Sequence, residues 1–151
     1  MSWARFAHEA PELAAAGERL LCGPDGVSIA FLATGSAASL HLSPVCPVFC
    51  DAEIHLVASS HTPKVSDLRA AGRYVLHAFL GASDEEFQIA GTAAEITRSD
   101  ERARVQRAVR FASFGREDPI FRLDVARALW ASWERVGQPD TRPIRRRWRA
   151  G

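Results

Sequence analysis

Ser59, Ser60, Thr62 and Lys64 fall in one short segment, Ala-Ser-Ser-His-Thr-Pro-Lys, where an apolar run ends and a helix begins. Pro63 suits the first position of a helix and Thr62 its N-cap. A helix start presents backbone N–H groups without intrahelical partners and the positive end of the helix dipole, so it attracts an anion. The hydroxyls add donors, and Lys64, the only lysine in the chain, adds a point charge. Together they would hold a phosphate monoester. A plain capped helix with solvated polar residues accounts for the same spacing.

The other reactive side chains are scattered. His41, Cys46, Cys50 and His55 are residue types that zinc accepts, but no Cys-x-x-Cys or His-x-x-x-His pair occurs. Strand residues four apart are also too separated to chelate one ion. No metal site is expected, and the cysteines are expected as core thiols rather than as nucleophiles served by His41 or His77. Neither a Gly-x-Ser-x-Gly elbow nor a Gly-x-Gly-x-x-Gly fingerprint is present. The one strongly basic stretch, Arg142 to Arg149, holds five arginines and Trp148. It could meet nucleic acid phosphates, but no recognition module accompanies it and a solvated or partner-docked terminus is the expectation.

These residues must be positioned by a chain of 151 residues, 47% apolar and 25% charged, the balance of one globular domain spanning 1–151. A formal charge of +1 gives no global field for nucleic acid or anionic lipid. Apolar runs are too short to span a bilayer, and residues 1–10 lack the apolar stretch of a signal peptide. With three cysteines, an odd number, this points to free thiols in the cytoplasm. Neither a membrane nor a nucleic acid partner is expected.

Apolar residues at spacings of three and four predict a helical N-terminal segment over 1–22, with Pro11 opening its second piece. Strands are predicted over 27–33, 40–50 and 53–58, the last entered through an Asp51-Ala52 turn. A helix over 62–72 stops at Gly72, and strands follow over 73–80 and 87–97. A second helix, capped by Ser99, runs to about 113. Residues 120–135 fit either period and are taken as a strand bent near Ala126, and 137–151, with Pro139 and Pro143, as a basic irregular tail. About six antiparallel strands with flanking helices make a mainly β (α+β) fold, a closed or split barrel that leaves few exposed edges.

Ala30, Pro44-Val45, Ser59-Ser60, Lys64-Val65-Ser66-Asp67-Leu68-Arg69, Tyr74-Val75-Leu76-His77 and Gly91-Thr92-Ala93, in that order, resemble the pyridoxamine 5'-phosphate oxidase-like family of FMN-binding split barrels. The resemblance covers residues 27–133. It implies a homodimer with two flavin sites at the interface, each built from both subunits, in which Ser59, Ser60 and Lys64 hold the ribityl phosphate while the backbone around Ser43 and Val45 lines the isoalloxazine edge. Thr62 belongs to the cofactor site through the anion-binding segment. Where many members carry a phosphate-binding arginine this chain has His41, after the turn Gly35-Ser36-Ala37-Ala38-Ser39. His41 can substitute for that arginine, binding more weakly as pH rises, or serve as a satisfied histidine of the barrel, and the sequence leaves both readings open. The basic tail would fold over the neighbouring subunit and bring Trp148 against a ring.

The implied activity is that of an FMN-dependent oxidoreductase moving hydride equivalents to or from a small organic substrate. The alternatives are a deazaflavin coenzyme on the same fold, whose acidic tail would suit the arginines, and a flavin-binding or sequestering module without turnover.

Overall fold

The computed structural model describes residues 1–35, 39–111 and 114–151, the side chain of Ser83 excepted. The middle of the expected 35–39 turn and the expected end of the second helix, at 112–113, lie outside the described residues. The N-terminal segment forms α1 (Trp3–Glu9) and α2 (Pro11–Cys22), divided where Ala10, ahead of a proline, leaves helical geometry. Gly17 in α2 is a packing residue. A Cβ there would sit 2.4 Å from the ring of Phe87 and 2.8 Å from that of Trp3.

The strands are β1 (Ala30–Gly35), β2 (Leu40–Val45), β3 (Val48–Cys50), β4 (Glu53–Val57), β5 (Arg73–Ala78), β6 (Glu86–Glu95), β7 (Ile120–Glu134) and β8 (Arg142–Arg149). Helix α3 (Pro63–Ala71) lies between β4 and β5, and α4 (Ser99–Ala108) between β6 and β7. All strand pairings are antiparallel, in the order β2-β1-β5-β6-β7-β4-β3, with β8 also on β7. The sheet curls into a split barrel.

The fifteen-residue β7 is its spine. Its first residues pair with β4 and its second half with β8, while β6 runs along its other edge. The register against β6 slips between Ala90 and Gly91, placing the bulge at Ala126, where the sequence pattern bends. Gly91 is required there, because a Cβ would lie 1.8 Å from the carbonyl oxygen of Asp124.

The predicted strand over 40–50 is two strands, broken at Cys46-Pro47 because a proline cannot donate to a ladder. Asp51 and Ala52, both at positive φ (54° and 56°), close the β3–β4 hairpin as a two-residue turn. Ser99 is the first helical residue of α4 rather than its cap, which is Arg98. The irregular tail is corrected outright: residues 142–149 form β8. Pro143 is tolerated because β8 lies at an edge, where a missing N–H need not break a ladder. Behind the run of arginines lies a two-residue alternation that puts Arg146 and Trp148 on one face and Arg145, Arg147 and Arg149 on the other.

The main core joins Trp3 and Phe6 from α1 to Phe87, Leu56, Leu76, Phe121 and Leu123 from the sheet. The Trp3 ring meets Phe6 and Phe49 edge-on, both at centroid separations of 5.1 Å. A second cluster, with Val48, Ile96, Val105 and Ile120, seats α4. Glu85 clamps α2 to β7, accepting two hydrogen bonds from Arg19 (2.8 and 2.6 Å) and one from Trp130 Nε1 (2.6 Å). Among the described residues no helix is long and apolar enough to cross a membrane.

Candidate functional site

Helix α3 begins as its sequence requires, with Thr62 extended at the N-cap and Pro63 at the first position, and ends at Gly72, whose φ of 60° is left-handed. The Thr62 hydroxyl does not cap the helix. It donates to the Ser59 carbonyl (2.9 Å) instead, so the N-cap side chain leaves the first-turn N–H groups without a side-chain cap.

Beside this helix start lies a cleft of about 290 Å³. Lys64 and Ser59 supply its polar wall, Pro44, Val45 and Cys46 one apolar wall, and Phe111 and Phe114 another. The two phenylalanines meet edge to face at 5.8 Å. Three of the residues singled out from sequence, Val45, Ser59 and Lys64, therefore share one cavity although they come from β2, the end of β4 and α3. The phenylalanine pair did not emerge from the sequence as part of the site. Its signal is a Phe-x-x-Phe spacing that by itself reads as helix.

The other expected residues are placed differently. Ser60 turns to Asp118 in the loop before β7, giving it both its backbone N–H (3.2 Å) and its hydroxyl (3.1 Å). The same carboxylate accepts from Gly115 N–H at 2.7 Å, so Asp118 pins the turn that carries Ser59. His41 sits on the face of β2 that also bears Ser43 and Val45, and Thr34 of β1 is its cross-strand partner. His41 Nδ1 lies 2.7 Å from Asp67 Oδ2, and Thr34 donates to the same oxygen at 2.8 Å. These bonds hold the Asp67 carboxyl below its ordinary value, the His41 bond contributing most. Trp148 is seated in its own chain, its ring 4.8 Å from that of Phe6.

Burial pushes the Cys46 thiol up, and that of Cys50 likewise, so neither is favoured as a thiolate. Among the described residues no three metal-ligating side chains converge. His55 is buried beside Val48, and its Nδ1 has no hydrogen-bond partner among the described residues.

Among the described residues the cleft thus combines one cation, one hydroxyl and a helix start with apolar walls. Such a site can hold an anionic group at one end and a flat apolar group beyond it.

The chain has the split-barrel fold of the pyridoxamine 5'-phosphate oxidase-like proteins. A NimC/NimA family protein from Clostridium acetobutylicum superposes with a TM-score of 0.62 at 13% identity, over 88% of this chain and 91% of that one. An FAD-binding protein from Mycobacterium smegmatis gives a TM-score of 0.60 at 17% identity, over 90% and 97% of the two chains. A provisionally assigned pyridoxamine 5'-phosphate oxidase from Listeria innocua gives 0.55 at 8% identity, over 67% and 86%. No protein-family model and no curated protein matches the sequence.

Proposed function

We propose that the chain is a flavoprotein that binds FMN with its phosphate at the start of α3 and acts as an oxidoreductase on a small organic substrate. The observation that carries this reading is the convergence of Lys64, Ser59 and Val45 on one cleft. The residues present fit the group: the cation and hydroxyl suit a phosphate, and the apolar walls suit a flat ring. Lys64 Nζ would pair with the phosphate, and the Ser59 hydroxyl and first-turn N–H groups would donate to it. His41, tied to Asp67, orients α3 and its lysine rather than meeting the anion itself. Bound FMN would supply hydride chemistry, leaving the chain to bind, orient and exclude water.

A cleft of about 290 Å³ is at the small end for a ligand of this size, so the ring would need a second wall. Ile29 lines the cleft and also begins an exposed apolar face, with Phe31, Leu40, Leu42 and Phe79 between 36% and 82% exposed. An apolar face of this kind is an association surface, and a second copy of the chain is the reading that completes the site. The free basic arm that favoured a deazaflavin coenzyme is instead the strand β8.

The test is an absorbance spectrum of the purified protein before and after incubation with FMN and desalting. Flavin bands that stay with the protein support the proposal. A protein that remains colourless after reconstitution overturns it.

A further inference from the structure

Nine arginines reach a carboxylate within 4 Å: Arg5, Arg19, Arg69, Arg98, Arg104, Arg122, Arg135, Arg142 and Arg146. The other nine of the eighteen arginines do not, among the described residues, and three of those nine, Arg73, Arg127 and Arg149, line one cavity of about 640 Å³. They come from three strands, β5, β7 and β8.

The floor between them is kept low by the bulge, since Gly91 and Ala126 present no bulk. Thr92, the cross-strand partner of Arg73, adds a neutral donor at the rim.

Arg127 and Arg149 are direct cross-strand partners. Like charges so placed destabilise a sheet. Arginines on an edge strand have an ordinary use in blocking edge-to-edge pairing, and that accounts for Arg145 and Arg147. It does not account for Arg127, which lies on the spine strand and faces another arginine, or for Arg73 on β5. A multiply charged anion between the three guanidiniums would relieve the repulsion, and each planar fork can bind a phosphate in bidentate fashion.

We infer that this cavity binds a polyphosphate group, free or as the tail of a nucleotide, at a site separate from the Lys64 cleft. The inference does not rest on a flavin in that cleft. Three arginines match a chain of phosphates rather than a single monoester, and the volume lies within the range of small-molecule sites. The small apolar floor leaves room beside the phosphates for an organic group.

The experiment is calorimetric titration of the full chain with sodium tripolyphosphate and, separately, with ATP at constant ionic strength. Arg127→Gln/Arg149→Gln is expected to weaken tripolyphosphate by about tenfold or more, as loss of two charge-assisted partners would. Lys64→Ala is expected to leave it unchanged. Because the double variant removes a like-charge pair, its Tm without ligand should equal or exceed that of the parent, which separates lost binding from lost folding. ATP binding as tightly as tripolyphosphate places recognition in the phosphates, and tighter ATP binding adds a seat for the nucleoside, both in support. Three results would overturn the inference: undiminished binding to the double variant, loss of binding in Lys64→Ala, or a single-stranded oligonucleotide that binds through Arg145 and Arg147 while tripolyphosphate does not.

Discussion

His41 and Asp67 are joined across the barrel at 2.7 Å, the imidazole Nδ1 on the carboxylate, linking β2 to a helix that carries Lys64 one turn earlier. The pair makes the β1–β2 hairpin and α3 one unit, because the buried Thr34 hydroxyl donates to the same oxygen.

Removing this acceptor should be felt in both stability and the cleft. Asp67→Ala leaves the Thr34 hydroxyl buried without a partner and is expected to cost about 1–3 kcal/mol in urea denaturation. FMN affinity should fall with it, although Asp67 does not line the cleft. Asp67 titrates below its ordinary value in the folded chain. It therefore contributes stability above that ordinary value, and the contribution is lost as pH falls through the folded value. Asp67→Asn should flatten this acid limb, and an unchanged acid limb would remove the carboxylate from the account.

Lys64 is the cation of the cleft. Lys64→Ala should weaken FMN by about 1–3 kcal/mol, the size of a charge-assisted contact in a partly buried site. Fluorescence titration measures it, and unaltered affinity would place the phosphate elsewhere.

His55 predicts a second pH dependence. Burial, the largest cause, lowers its pKa from the ordinary 6.5, so the unfolded chain takes up a proton that the folded chain resists. Stability is complete above the ordinary value and falls as pH drops from there towards the folded value, by at most about 1.4 kcal/mol per pH unit. Chemical denaturation of His55→Leu across this range should lack that slope.

Gly91→Ala should be among the most damaging single changes, since the new methyl would meet backbone at 1.8 Å. A cost of about 3 kcal/mol or more is expected, the upper end of overpacking penalties. A variant with the parent's Tm would show that the bulge at Ala126 can move.

Leu42 is 70% exposed on the apolar sheet face. Leu42→Asp should change the stability of the single chain by no more than about 0.5 kcal/mol, yet convert the proposed dimer to monomer in sedimentation velocity. A variant that stays dimeric would move the association surface off this face.

Much of the fold was legible because its signals are local. The division at Pro11, the Asp51-Ala52 turn, the bounds of α3 at Thr62 and Gly72, and the bend near Ala126 each depend on residues within a few positions of one another. β8 was obscured because Pro143 and a run of arginines look like a tail, and what makes it a strand is the partner β7 beside it. The site divides in the same way. That Lys64 and Ser59 lie close together was legible from a strand end followed by a helix start, a pattern contained in a few residues, whereas the walls they share with Val45 and the two phenylalanines were not.

The sequence by itself determined the type and order of most elements and placed the lone lysine at a helix start. Only the tertiary structure decided that His41 belongs to Asp67, 26 residues away, that Ser60 belongs to Asp118, 58 residues away, and that Arg127 faces Arg149. Those choices follow from strand register and from where a helix docks. Register and docking are set by the summed packing of the whole sheet, which no short stretch of sequence contains.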